Sequence, residues 1–265
     1  FEIKDVSVKE VLQLVSNGDF TDTGSELITN GDFSGGTFSP WAANPNWSLG
    51  GVGAMADGTS NSTLWQGSVV EDGKSYKVTY TLSDFTQGSV NVDLGGANGI
   101  TRAFSGAAAV TYTDYIVAGT SPTTRISFEG SGNFIVTLSN VSVKELGADW
   151  TVIDGDGSVT FGDSFAEITK TGEPPTYLQQ DYAVTLGASH KLTYTITENT
   201  LTGGGTELGL SNASAYPTGG STAITLDASA SATPKTVYLT VTNATPTAAL
   251  RFFSTKTGGS IKITD

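Results

Sequence analysis

The chain has 265 residues, no cysteine, one methionine and one histidine, and its 13 basic against 26 acidic residues give a net charge of −13. That deficit of Lys and Arg argues against a nucleic-acid partner and disfavours an anionic membrane surface, and no apolar run approaches the roughly 20 residues of a membrane span. The missing thiols exclude disulfide staples and thiolate metal sites, and the length leaves room for two domains with real cores.

Residues 1–11 alternate in period two, with Phe1, Ile3, Val6, Val8 and Val11 against Glu2, Lys4, Ser7, Lys9 and Glu10. The alternation skips at Lys4-Asp5, the sequence form of a β-bulge. Asp5-Val6-Ser7-Val8-Lys9-Glu10 returns as Asn140-Val141-Ser142-Val143-Lys144-Glu145, and Ile261-Lys262-Ile263-Thr264-Asp265 stops at the residue matching Asp5. Repetition at that spacing predicts tandem all-β domains. Residues 1–11 are the last strand of one module, 12–25 a linker, 26–146 a whole module, and 147–265 a module short of its final strand. That strand is expected beyond Asp265, or from residues 1–11 of a neighbouring copy.

Within the linker, Ser16-Asn17-Gly18-Asp19-Phe20 is echoed by Thr29-Asn30-Gly31-Asp32-Phe33, which leaves the first copy as a candidate remnant of a shortened or deleted module. In 26–146, apolar strands are predicted near 62–70, 75–85, 89–94, 112–118, 124–129 and 134–145. Clusters such as Glu129-Gly130-Ser131-Gly132-Asn133 separate them as turns. In 147–265, Gly187–Thr195 repeats Gly73–Thr81, Leu178-Gln179-Gln180 repeats Leu64-Trp65-Gln66, and Leu250–Phe253 is matched to Arg125–Phe128. Short strands without intervening helices predict antiparallel sandwiches.

An enzyme is not expected. The one histidine, His190, aligns with Tyr76 on a strand. No Gly-x-Ser-x-Gly elbow occurs, and Gly95-Gly96 and Gly203-Gly204-Gly205 lack the context of a phosphate loop. Carboxylate pairs such as Asp84/Asp93 and Glu167/Glu173 read as solvated loop charge, without the partners that glycoside hydrolysis requires. Asp154-Gly155-Asp156-Gly157-Ser158 reads as a hairpin turn, since Phe165 stands where a calcium loop needs a bidentate Glu.

The order of motifs now points to a family. Asn-Gly-Asp-Phe opens the module, a Trp follows in Asn46-Trp47-Ser48 and Asp149-Trp150-Thr151, then Leu-x-Gln, Gly-x-x-Tyr/His-Lys-x-Thr-Tyr-Thr, and a closing Asn/Asp-Val-Ser-Val-Lys-Glu. Over nearly the whole chain this resembles the carbohydrate-binding-module-like, galactose-binding-like jelly rolls, in particular tandem versions in bacteriophage tail fibres and other virion proteins. The resemblance implies a structural calcium between the opening and closing motifs, here at Asp32 and Asn140. Ser34 replaces the usual Glu and Asn140 the usual acid.

Sugar binding needs exposed aromatic faces with polar neighbours. Trp47 and Trp150 are matched to each other and expected in the core. Trp65 faces Gln179, and Trp41 has no match, so Trp41, Trp65, Tyr112 and Tyr115 are the candidate glycan residues. The expectation is a non-enzymatic structural or adhesive protein at a virion surface or outside the cell. Its expected partners are copies of itself, a trimer being common in fibres, together with other virion proteins and surface glycans. Accessory glycan-binding modules of a secreted glycoside hydrolase or bacterial adhesin are the alternative.

Overall fold

Two predicted pairs of strands are each one long strand. The computed structural model describes residues 15–58, 62–97, 99–103, 106–119, 123–153, 155–182, 189–211, 224–240 and 248–264. Among them there is no helix, and the strand pairings are antiparallel. Contacts divide the chain into two compact units. One is Asp19–Ala148 with Thr160–Glu167. The other joins Asp149–Val159 and Ile168–Asp265 to the segment that ends at Gly18.

In the first unit the strands are β1 (Thr23–Glu26), β2 (Ala42–Ala43), β3 (Trp47–Gly50), β4 (Gly53–Asp57), β5 (Thr63–Gln66), β6 (Ser75–Leu94), β7 (Thr101–Ala103), β8 (Val110–Val117) and β9 (Ile126–Leu146). β6 and β9 form one ladder from Tyr76↔Glu145 to Leu94↔Ile126. β1, β4 and β5 line the other side of β9, and β7 and β8 the other side of β6. The expected turn at Gly130–Asn133 does not reverse the chain. Gly88, Gly132 and Asn133 take positive φ and are absorbed as irregularities where the register slips. A Cβ on Gly130 would lie inside the Phe134 ring, so a glycine here lets the ribbon bend over that side chain.

The bend brings both halves of the ladder round one core. Val78, Tyr80 and Leu82 from one end pack in the same cluster as Val92, Ile126 and Phe128 from the other. Burying each such side chain contributes roughly 1.5–3 kcal/mol. Near its end β9 slips register between Ser139 and Ser142, with Asn140 at φ 52. This bulge switches the inward parity, so Leu138, Val141 and Val143 are all buried. Residues 1–11, where the same skip is expected at Lys4-Asp5, lie outside the described residues, as does Asp265.

The strands between Asp149 and Thr264 form two sheets, of whose residues Thr160–Glu167 count with the first unit. β10 (Thr151–Ile153), β13 (Thr176–Tyr182), β18 (Ala248–Ser254), β15 (Gly209–Ser211) and β16 (Ile224–Thr225) form one, in that order. The other runs β11 (Gly157–Gly162), β12 (Phe165–Lys170), β19 (Gly259–Thr264), β14 (Ser189–Asn199) and β17 (Lys235–Thr240). Leu178, Tyr194, Ile196, Leu210, Phe252 and Ile263 are buried. The fold is thus all-β, with antiparallel sandwiches of the jelly-roll kind. The stretch 155–158 is not a hairpin turn. β10 pairs β13 while β11 belongs to the other sheet, so the chain crosses between sheets there; Asp154 lies outside the described residues.

Register corrects two sequence matches. Leu64 opposes Phe128 and Leu178 opposes Phe252, so Phe128 corresponds to Phe252 and not to Phe253. Ala42 opposes Trp65 and Thr151 opposes Gln179. The counterpart of Trp150 is therefore Trp41, the residue before Ala42, and not Trp47. Function agrees. The indole N–H of Trp41 donates to the carbonyls of Thr29 and Asn30 at 3.1 Å, and that of Trp150 to the carbonyl of Asn17 at 3.1 Å. The Trp47 indole nitrogen is buried without a partner among the described residues.

Candidate functional site

The four aromatics proposed from sequence do not converge. Trp41 is buried, packed on Phe33 and Phe128, and is a core residue rather than a surface platform. Trp65 stands on β5 between the buried Leu64 and Gln66, so it points out of the core, half-buried, with the Arg125 guanidinium 5.8 Å from its ring centre. Tyr112 and Tyr115 share β8, but residues three apart on a strand face opposite ways. Tyr112 turns inward and Tyr115 outward.

Around Tyr112 the inner face carries a polar cluster. Tyr80 on β6 opposes Tyr112 on β8, and their rings stack with centres 5.6 Å apart. The Tyr80 hydroxyl donates to Asp114 Oδ2 at 2.8 Å, and Arg102 Nη2 pairs with Asp114 Oδ1. Arg102 Nε donates to the Tyr80 hydroxyl at 3.0 Å, while its guanidinium lies 4.4 Å over the Tyr112 ring. Burial pushes the Tyr80 hydroxyl well above its ordinary value, so it stays a donor at neutral pH. Burial works against the charge of Arg102, but its contacts with Tyr80 and Asp114 outweigh that and leave its pKa raised. Both oxygens of Asp114 are engaged, so the carboxylate serves to hold the arginine and is no ready base. Arg102 and Asp114 were missed in the sequence because their partners lie across strands.

The outward face holds a repeated feature. Tyr115 opposes Lys77 across β6–β8, and Tyr238 opposes Lys191 across β14–β17. Lys77 and Lys191 occupy the same place in the repeated Gly73–Thr81 and Gly187–Thr195 segments. Tyr115 and Tyr238 are therefore equivalent, and both are exposed, Tyr238 by 76%. The Tyr115 hydroxyl donates to Asp163 at 2.8 Å, and burial, followed by that carboxylate, pushes its pKa up to about 12. A usable signal for Tyr238 is present in Thr236-Val237-Tyr238-Leu239, which matches Thr113-Asp114-Tyr115-Ile116.

At the suggested calcium position, the opening and closing motifs do meet. The Val141 amide donates to the Gly31 carbonyl at 2.9 Å, and a Cβ on Gly31 would collide with the Val141 carbonyl oxygen. The Asp32 carboxylate accepts from the Ser34 amide at 3.1 Å, and that contact lowers its pKa. The Asn140 side-chain amide donates to Ser139 at 3.5 Å. One carboxylate and one amide do not fit an ion that takes six to eight oxygens. Among the described residues no three His, Cys, Asp or Glu side chains cluster. Asp93 is not a solvated loop charge. It is buried, and its carboxylate accepts from the Gly96 amide at 3.0 Å, bracing a turn. No described helix is long and apolar enough to cross a membrane.

No protein-family model matches the chain, and no curated protein matches it. Solved structures do. The tandem CBM22-1–CBM22-2 domain of Paenibacillus barcinonensis Xyn10C matches at 11% identity and TM-score 0.38, over 92% of this chain and 97% of that one. The CBM22-1 xylan-binding domain of the same protein matches at 14% identity and TM-score 0.36, over 48% and 99%. A protein of the triple-jelly-roll turret of an archaeal virus matches at 13% identity and TM-score 0.28, over 85% and 59%. TM-scores this low leave function to the side chains.

Proposed function

We propose that the chain is a non-enzymatic adhesive protein whose two sandwiches each offer an exposed tyrosine to a glycan. The observation that carries this is the recurrence of tyrosine opposite lysine on the outward face of an edge strand, at Tyr115/Lys77 and Tyr238/Lys191. A tyrosine ring gives the flat apolar surface on which a sugar ring stacks, and a neighbouring ammonium can donate to hydroxyls. Two weak sites on one chain gain through effective concentration, and copies assembled on a particle gain further. The setting we propose is a virion fibre or surface decoration, where repeated stiff modules hold a binding surface away from the particle. A net charge of −13 suits such a setting by favouring solubility.

The test is a glycan array with the full chain, followed by calorimetry on Tyr115→Ala, Tyr238→Ala and the double variant. Each single change should weaken binding and the double change should abolish it. Binding that survives the double change would move the site to the Arg102–Tyr112 cluster or to Trp65. A blank array would leave a spacer or decoration without a ligand, and turnover of a polysaccharide would end the non-enzyme reading. No metal takes part in this proposal, so chelation should leave the thermal unfolding of both units in place.

A further inference from the structure

The segment read as a linker is gripped as an opening motif. The Ser16 amide donates to Gln180 Oε1 at 2.7 Å, and Gln180 Nε2 donates back to the Ser16 carbonyl at 2.9 Å and to the Asp149 carbonyl at 3.0 Å. Trp150 takes the next carbonyl, that of Asn17. The first sandwich does the same with its own copy. The Thr29 amide donates to Gln66 Oε1 at 3.0 Å, Gln66 Nε2 donates to the Thr29 carbonyl at 2.9 Å, and Trp41 holds Thr29 and Asn30. Local conformation repeats too, with φ of 48 at Asn17 and 56 at Phe20 against 55 at Asn30 and 57 at Phe33.

The two sandwiches differ in how this motif reaches its clamp. In the first, Phe33 runs through Ser34–Pro40 to Trp41. In the second, the whole first sandwich lies in the chain between the motif and Trp150. The second sandwich is therefore discontinuous, and its opening segment is tethered to it only through another folded unit. The clamp reads main-chain atoms, which any copy of the segment presents alike. Each copy of the motif carries the same left-handed turn on its own clamp, so the shape recurs with the motif.

We propose that Gln180 and Trp150 form a receptor for this opening segment, and that it accepts the segment of a second copy of the chain in place of its own. Copies would then be joined by exchange of Ser16–Phe20, as domain-swapped assemblies are. Proline cannot adopt the positive φ of Asn17, so full-length Asn17→Pro has a receptor without a fitting segment. Full-length Gln180→Ala has the segment without a receptor. Each alone should be monomeric by light scattering, and an equimolar mixture should give a one-to-one complex.

A labelled synthetic peptide of residues 15–22 should bind Asn17→Pro at least tenfold more tightly than the wild-type chain. Adding Gln180→Ala to Asn17→Pro should remove that binding. Absence of a mixed complex, or peptide binding indifferent to Gln180, would overturn the proposal. Where Asn17→Pro leaves the second sandwich unfolded, refolding with the peptide decides. Recovery of the buried environment of Trp150 in its fluorescence supports the receptor, and no recovery overturns it.

Discussion

The two sandwiches share an edge and a clamp but are closed differently. In the first, β6 and β9 run as one bent ladder through the whole core. In the second, the corresponding stretches are separate strands, β14 and β15 on one side and β18 and β19 on the other, placed in two sheets. The polar contacts at equivalent positions also differ. Tyr80 sits with Arg102 and Asp114, whereas Tyr194 donates to the Asp227 carbonyl at 3.3 Å and Asp227 pairs with Lys235 at 3.4 Å. Lys235 occupies the register position of Tyr112. One architecture thus tolerates exchange of an aromatic for a cation, provided a carboxylate stands near.

Emptying each core at the same place should cost each sandwich the most stability. Phe128 is fully buried against Trp41 and Tyr80, and Phe252 is buried beside Trp150. Phe128→Ala should destabilise the first unit by about 3–5 kcal/mol and Phe252→Ala the second by a similar amount. Calorimetry should show a different transition moving in each variant. If both changes move the same transition equally, the two units do not unfold separately.

The next effect separates the polar clusters. Asp114→Ala leaves Arg102 without its counter-charge in a largely buried place. The expected cost is about 2–3 kcal/mol, below that of a fully buried pair because the arginine is partly exposed. Removal of Asp227, whose own side chain is exposed although its partner Lys235 is largely covered, should cost less than that. The tyrosines add a pH signature. Both Tyr80 and Tyr194 have pKa values raised by burial, the first far more. A raised pKa means the folded state holds the proton longer, so this stability is complete below the unfolded value near 10 and is lost as pH rises past it. Urea midpoints should fall above about pH 10, more steeply for the first unit, and Tyr80→Phe should flatten that fall.

A smaller effect tests the clamps. Gln66→Ala and Gln180→Ala each strip bonds from main-chain groups, at about 1–2 kcal/mol. Equal losses in the respective units, read by urea denaturation, would show that the distant segment at Ser16 is held as firmly as the adjacent one at Thr29. A much smaller loss for Gln180→Ala would show that the longer tether weakens closure.

Sequence alone exposed the strands and the repeat, because period-two alternation and Gly/Asn clusters are local signals. It placed Tyr76, Val78 and Tyr80 on a strand; the bulge it read at Lys4-Asp5 lies outside the described residues, while β9 slips register at Asn140, the matching position. It mistook Gly130–Asn133 for a reversal, because glycine and asparagine with positive φ serve a bulge as readily as a hairpin. It joined Trp47 to Trp150 by their neighbours in sequence, whereas hydrogen-bonded register joins Trp41 to Trp150. Arg102, Asp114 and the grip of Gln180 on Ser16 depend on contacts across many residues, and no local pattern announces them.

The smallest expected change in stability concerns the exposed tyrosines, and it bears most directly on function. Tyr238 is 76% exposed, so Tyr238→Ala should alter unfolding free energy by no more than about 0.5 kcal/mol. Tyr115 differs in one respect, since its hydroxyl is held by Asp163. Tyr115→Ala should cost slightly more, and Tyr115→Phe should show the same cost if the hydrogen bond accounts for it. For binding the order reverses in meaning. A ring already held in place loses less freedom on meeting a sugar, so Tyr115, held by Asp163, should contribute more affinity than the more exposed Tyr238. Titration calorimetry of Tyr115→Ala and Tyr238→Ala against the best array ligand reads this directly. A larger loss at Tyr238, or equal losses, would show that exposure and not pre-organisation governs how these edges grip a glycan.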